Sequence, residues 1–378
     1  MENDIKKILF ITGTRADFGK IKTLITSIKN NKKFEYTIFC TGMHMLKKYG
    51  ETINEVKKSG FNKIYPFINQ NISDPMEIVL SNTINGLSNF LQENNFDLIV
   101  IHGDRVETLA AAIVGSMRNI LVAHIEGGEV SGTIDDLLRH STTKMSHIHF
   151  VANEKAKNRL KQLGELENSI YVIGSPNIDI LLSNKLPTMD EVIDKYELEF
   201  EEYGIAVLHP VTTEFKNYKE YSKIFVNCLI KSNKNWVIIS PNNDLGSEYI
   251  FEELERLKNN KNIKIFPSIR FEYYLTLLKN SKCLIGNSSS GIYEAPVYGI
   301  QTINIGTRQE NRFNYDSILN LDFDEESIID NIKKKWGSKY ELSKNYGHGD
   351  SSKKFIEILS STEIWNTSKQ KKFIDLNV

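Results

Sequence analysis

LIVIHGDRVETLAAAIVGSMRNILVAHIEGG, residues 98–128, reads as one unit of a parallel sheet. The apolar run 98–101 ends in His102-Gly103-Asp104, an amphipathic stretch follows over 105–117, and a second apolar run, 120–125, ends in Glu126-Gly127-Gly128. Strand, helix and strand in that order make a βαβ unit, and strands apolar at every position are buried on both faces. The same grammar extends outward. Runs 8–11, 36–40, 148–152 and 170–173 flank it on both sides, with further helix-length stretches at 18–30 and 76–93. A second series follows at 205–208, 236–239, 263–266, 283–285 and 302–305. The fold class expected is α/β, with two Rossmann-like domains facing a cleft.

A chain of 378 residues suits two such domains. The boundaries expected are 1–178 and 179–359, with the polar interval 183–203 as the linker. Lys plus Arg (47) nearly cancels Asp plus Glu (48), so the overall field gives no reason to expect nucleic acid or an anionic membrane as partner. Cys40, Cys228 and Cys283 are scattered without a C-x-x-C pair, which argues against a disulfide framework and a thiolate zinc site and suits a cytoplasmic protein. The first apolar run is far too short for a signal peptide or a membrane span.

Ligands of open parallel sheets bind beyond the carboxyl ends of the strands, and the polar residues of this chain gather there. Gly13-Thr14-Arg15-Ala16-Asp17-Phe18-Gly19 follows the first run and opens a helix, where backbone N–H groups and Arg15 suit a phosphate; the bland alternative is a tight turn with an exposed arginine. The segment is neither G-x-G-x-x-G nor a P-loop. Asp104, Arg105, Glu126, Glu129, Asp135, Asp136, Arg139 and His140 crowd into one stretch, as either a functional group or a buried ion-pair network. His102, His124, His147 and His149 lack zinc-helix spacing, and no metal is expected. Gly286-Asn287-Ser288-Ser289-Ser290-Gly291 precedes a helix expected at 292–299, with Glu294 in its first turn; an anion site and an ordinary serine cap both fit.

GTRADFG (13–19), TGMH (41–44), HGDR (102–105), HIEGGE (124–129), SGTIDD (131–136) with Arg139-His140, HPVTTE (209–214), PNND (241–244), FPSIRFEY (266–273), GNSSSG (286–291) and GTRQ (306–309) occur in that order. Together they resemble the hydrolysing UDP-N-acetylglucosamine 2-epimerases of bacterial sialic acid biosynthesis across essentially the whole chain. The resemblance implies the two-domain fold of nucleotide-sugar glycosyltransferases, with residues 360–378 returning to the first domain. It implies that Asp104, Glu126 and Asp135 are the acid–base carboxylates. Arg15, Ala16, Arg105, His209, Asn242, Arg270, Ser288, Ser289, Glu294 and Arg308 would hold UDP. It implies no cofactor, a UDP-sugar as partner, and a homo-oligomer, dimer or tetramer. Non-hydrolysing relatives carry Glu-Ala-Gly where this chain has Glu126-Gly127-Gly128, which favours the hydrolysing branch.

The C2 proton of an N-acetylhexosamine becomes acidic only as the C1–O bond to UDP breaks. One carboxylate takes that proton, another returns one to the opposite face, and a third prepares the water that adds to C1. The rival readings are a hydrolysing epimerase of UDP-2,4-diacetamido-2,4,6-trideoxy sugars (the legionaminic acid route), a non-hydrolysing UDP-GlcNAc 2-epimerase, a glycosyltransferase of the same fold, and a non-enzymatic UDP-sugar sensor.

Overall fold

The computed structural model describes residues 5–47, 50–72, 74–131, 134–241, 246–310 and 312–375. Two compact units divide the chain: Met1–Leu182 with Asn345–Val378, and Ser183–Lys344. The first carries β1 (Lys6–Thr12), β2 (Phe34–Cys40), β3 (Ile64–Pro66), β4 (Leu98–His102), β5 (Leu121–Ile125), β6 (Ile148–Val151) and β7 (Ile170–Val172). They form one sheet in the order β3-β2-β1-β4-β5-β6-β7, parallel at every pairing. The continuous apolar runs have a direct cause. Phe10, Val100 and Ala123 pack on one face against Ile21, Leu24 and Ile25 of the helix Arg15–Lys29. Their neighbours Leu9, Ile11, Ile99 and Val122 pack on the other face against Leu87, Leu91, Ala111 and Val114. Both faces are covered, so the strands are mostly apolar, and a buried polar residue such as His124 in β5 keeps hydrogen-bond partners.

The second unit repeats the plan with β8 (Gly204–Val207), β9 (Trp236–Ile239), β10 (Ile263–Phe266), β11 (Leu284–Gly286), β12 (Thr302–Ile305) and β13 (Ile318–Leu321), in the order β10-β9-β8-β11-β12-β13. These pairings too are all parallel. Strand order reverses between β1 and β4 in one sheet and between β8 and β11 in the other. At such a point the loops after the two strands diverge to opposite faces and leave room for a ligand. Gly13–Arg15 and Gly103–Arg105 follow the first pair of strands; His209 and Asn287–Ser289 follow the second.

Four features differ from the sequence reading. The interval 183–203 is not a linker. Thr188 and Glu191 form a reciprocal capping box for the helix Met189–Tyr196, and Val192, Leu198 and Tyr203 are buried. The expected helix 292–299 is instead a four-residue helix, Ser290–Tyr293, followed by a 3-10 turn, Ala295–Tyr298. Pro296 explains the break, because it has no N–H to donate and its ring crowds the carbonyl of Ile292. The short outer strands β3 and β13 bury few residues and leave little apolar signal. The chain also rejoins the first unit at Asn345, earlier than the expected 360. The helix Ser351–Ser360 buries Phe355 and Leu359 there, with the Phe355 ring 5.0 Å from that of Phe150.

Gly286 closes β11 at φ +124°, and a Cβ there would lie 2.0 Å from the Val207 carbonyl oxygen. Gly103, at φ +77°, has nothing within 4 Å of that position. Gly286→Ala should therefore cost clearly more than Gly103→Ala, which carries only the left-handed strain of about 1–2 kcal/mol. Urea unfolding of the two variants side by side measures the difference.

Candidate active site

In the first unit, Gly103 turns the chain after β4 and its N–H donates to Ile125 O (3.0 Å), so the ends of β4 and β5 are joined. Asp104 stands beyond that turn and pairs with Arg139, a buried arginine of the helix Ile134–Met145. Arg139 also donates to Glu129 O (3.1 Å) and pairs with Asp136, whose carboxylate accepts the Ser131 N–H (2.8 Å). Asp135 lies half-buried in the first turn of the same helix. The ion-pair reading of this stretch is thus met at Asp104, and the site inherits its rigidity from it.

Glu126 sits at the end of β5 with φ +63°, a conformation rare outside glycine. Its N–H donates to Phe150 O (2.9 Å), which fixes the backbone. Its carboxylate meets His102 Nε2 (3.0 Å), Lys20 Nζ (3.2 Å) and the Ser175 hydroxyl. Burial alone would raise this carboxyl; the Lys20 charge, His102 and Ser175 outweigh it and hold Glu126 well below the usual carboxylate range. Neither Lys20 nor Ser175 was legible as a partner from the sequence.

Glu129, three residues on, is the opposite case. It is buried, and its Oε1 has no hydrogen-bond partner among the described residues. Burial, then the negative charge of Glu126, push it up to about 7. Its place in HIEGGE was the available signal. Because the folded protein holds this proton more tightly than the unfolded chain, Glu129 costs nothing at pH 4 and destabilises progressively as pH rises through 7. Glu129→Gln should therefore stabilise the protein at pH 8 by up to about 3 kcal/mol and change little at pH 4. Thermal melts at both pH values test the sign.

The turn after β1 differs from expectation. The Asp17 carboxylate accepts from Thr12 Oγ1 (2.5 Å), Gly13 N (3.0 Å) and Thr14 N (3.1 Å), so those two N–H groups are engaged within the turn. Arg15 pairs with Glu55 (3.0 Å), Ala16 is exposed, and Arg105 pairs with Glu107 (3.3 Å).

In the second unit, the residue that assembles the candidate loops is one the sequence reading passed over. Asn287, 1% exposed, accepts from His209 N (2.7 Å) and donates to His209 O (2.8 Å). Its carbonyl accepts Arg308 Nη1 (3.0 Å) and Gln309 Nε2 (2.8 Å). The loops after β8, β11 and β12 are knitted together through this one side chain and its backbone. Burial, then the Arg308 charge, press His209 down to about 3, so its imidazole is neutral. Ser288 Oγ accepts the Ser290 N–H (3.3 Å), Ser289 precedes the short helix, and Glu294 is buried where that helix gives way to the 3-10 turn. Arg270 stands apart. It follows the edge strand β10, its N–H bonds Tyr196 Oη (3.1 Å), and its guanidinium lies over Tyr273. Asn242 lies outside the described residues.

Besides His102, the histidines weighed as metal ligands each bond another group of the first unit. His124 bonds Gly103 O (2.7 Å) and Thr143 (3.1 Å), His147 accepts the Val122 N–H (3.1 Å), and His149 bonds Glu165 (2.9 Å). Among the described residues, no three His, Cys, Asp or Glu side chains group as metal ligands, and no helix is long and apolar enough to cross a membrane.

A family model described as UDP-N-acetylglucosamine 2-epimerase matches residues 26–360. A UDP-N-acetylglucosamine 2-epimerase of Neisseria meningitidis serogroup B is 47% identical, over 99% of this chain and all of that one. A UDP-N,N'-diacetylbacillosamine 2-epimerase (hydrolyzing) of Legionella pneumophila is 31% identical, over 94% of this chain and 96% of that one. Among solved structures, a UDP-GlcNAc 2-epimerase from Neisseria meningitidis bound to UDP-GlcNAc superposes with a TM-score of 0.79 at 18% identity, over 93% of this chain and 99% of that one. That likeness establishes the fold of two Rossmann-like domains, the nucleotide-sugar glycosyltransferase type.

Proposed function

The chain belongs to the UDP-N-acetylglucosamine 2-epimerase family, and from that premise we propose that it is a hydrolysing 2-epimerase, converting UDP-N-acetylglucosamine and water to N-acetylmannosamine and UDP for sialic acid synthesis. The observation that carries the reading is Glu126. A carboxylate fixed at the end of β5 by His102, Lys20 and Ser175, with Asp104 following the paired strand β4, is oriented and in the unprotonated form that can accept a proton. As the C1–O bond breaks, such a base removes the C2 proton and leaves 2-acetamidoglucal and UDP. A second carboxyl group returns a proton to the other face, and a third orients the water that adds to C1. Asp104, Glu126 and Asp135 supply the three groups. Arg15, Arg105, Arg308, the hydroxyls of Ser288 and Ser289, and His209 with Glu294 would receive UDP, Arg308 facing the developing diphosphate charge.

Glycine at 127 fits the hydrolysing branch. A Cβ there would stand 3.1 Å from both His124 Nδ1 and Thr143 Oγ1, pressing on the bond between those two groups. The 31% identity to a UDP-N,N'-diacetylbacillosamine 2-epimerase favours one second reading, with a 2,4-diacetamido-trideoxy sugar as substrate. A hundredfold preference for that sugar in kcat/KM would replace the first substrate and leave the chemistry intact.

Purified protein given UDP-N-acetylglucosamine and no acceptor should release UDP and free sugar. Asp104→Asn and Glu126→Gln should each lower kcat by about 10²–10⁴-fold while UDP still binds. Near-normal turnover in both would end the acid–base assignment. Arg308→Ala should weaken UDP binding by about 1.5–3 kcal/mol, the worth of a hydrogen bond to a charged group; titration calorimetry measures it.

A further inference from the structure

Gly174-Ser175-Pro176 joins β7 to the helix Pro176–Leu181. In the structure Ser175 makes three polar contacts at once. Its N–H donates to Tyr346 O (2.6 Å), its Oγ accepts the Asn177 N–H (3.3 Å) as the cap of the helix Pro176–Leu181, and its hydroxyl reaches Glu126 Oε1. A hydroxyl has one proton. With the Asn177 N–H donating to the oxygen and a carboxylate able only to accept, that proton points at Glu126. The serine is buried, so water does not compete for it.

Its backbone is fixed from both sides. Gly174 has φ +87°, and a Cβ there would come within 3.2 Å of Gly347 Cα and 3.3 Å of Tyr346 O, so the strand that leaves and the segment that returns lie backbone to backbone. Asp179, in the serine's own helix, accepts the Ser351 and Ser352 N–H groups (2.9 and 2.8 Å) and caps the returning helix Ser351–Ser360. Ser175 therefore spends little conformational entropy in aiming its hydroxyl.

Resting on the reading of Glu126 as a base, we infer that Ser175 is a positioning residue for the reaction, which orients the Glu126 carboxylate from the fixed point where the chain rejoins the first unit. The other charged or titratable groups facing Glu126 are Lys20 from the helix Arg15–Lys29, His102 from β4, and Glu129 from its own loop. Lys20 and His102 bind Oε2, and Ser175 alone of the three binds Oε1. Loss of the serine hydroxyl frees one carboxylate oxygen while the other stays held.

Ser175→Ala tests this in the full-length protein. It should lower kcat roughly ten- to hundredfold, with KM for UDP-N-acetylglucosamine within about twofold, and move the acid limb of the kcat–pH profile to higher pH. Ser175→Thr, which keeps the hydroxyl and the cap, should restore both. An alanine variant with parental kcat and acid limb overturns the inference, as does a threonine variant that fails to recover while its melting temperature matches the parent. Glu126→Gln run beside them separates the two levels. If it too is active, the base assignment has failed; if it is inactive while Ser175→Ala is normal, only the role of Ser175 has failed.

Discussion

An ionised carboxylate taken out of water must find its compensation in the protein, and Glu126 finds it in three elements far apart in sequence. Lys20 comes from the first helix, His102 from the neighbouring strand, and Ser175 from the end of the sheet. Desolvation alone would protonate the group. The three partners reverse that, and each reaches it because parallel pairing sets the strand ends in one row. The left-handed backbone at Glu126 belongs to the same arrangement, since it turns the side chain back among those partners. Charge state, backbone strain and sheet topology are here one constraint.

The second unit meets a different demand, the construction of a receptive surface from loops. Loops are ordinarily the mobile part of an α/β unit. Asn287 removes that freedom by bonding both the N–H and the carbonyl of His209 while its own carbonyl takes Arg308 and Gln309. A neutral amide suits this task, because it satisfies donor and acceptor together and adds no charge beside Arg308. The proposed grip on UDP thus rests on a residue that need not touch the nucleotide.

Much of the fold was legible, for a physical reason. Strands covered on both faces are predominantly apolar, so β1, β4, β5, β8 and β12 announce themselves as short apolar runs, and glycines mark the ends of most of them. The edge strands β3 and β13 were silent because they bury little. Met189–Tyr196 was read as a linker because its polar face dominates its composition, although Thr188 and Glu191 already spelled a capping box. Asp104, Glu126 and Asp135 were legible as charges where charge is costly. The pairing of Asp104 with Arg139 lay within the ion-pair reading, but the partners of Glu126 did not: Lys20 lies 106 residues from it and Ser175 lies 49, distances at which sequence spacing carries no signal. In the turn after β1, Asp17 takes the Gly13 and Thr14 N–H groups for the turn itself, a pairing the sequence did not reveal.

The central claim is that a carboxylate base removes the C2 proton as UDP departs from C1, and that water then adds at that carbon. Turnover of UDP-N-acetylglucosamine in deuterated, oxygen-18 water, with mass spectrometry and proton NMR of both products, tests it most directly. The account requires N-acetylmannosamine carrying deuterium at C2 and the heavy oxygen at C1, beside unlabelled UDP. Heavy oxygen in the released diphosphate, or a product that keeps its original hydrogen at C2, would contradict it.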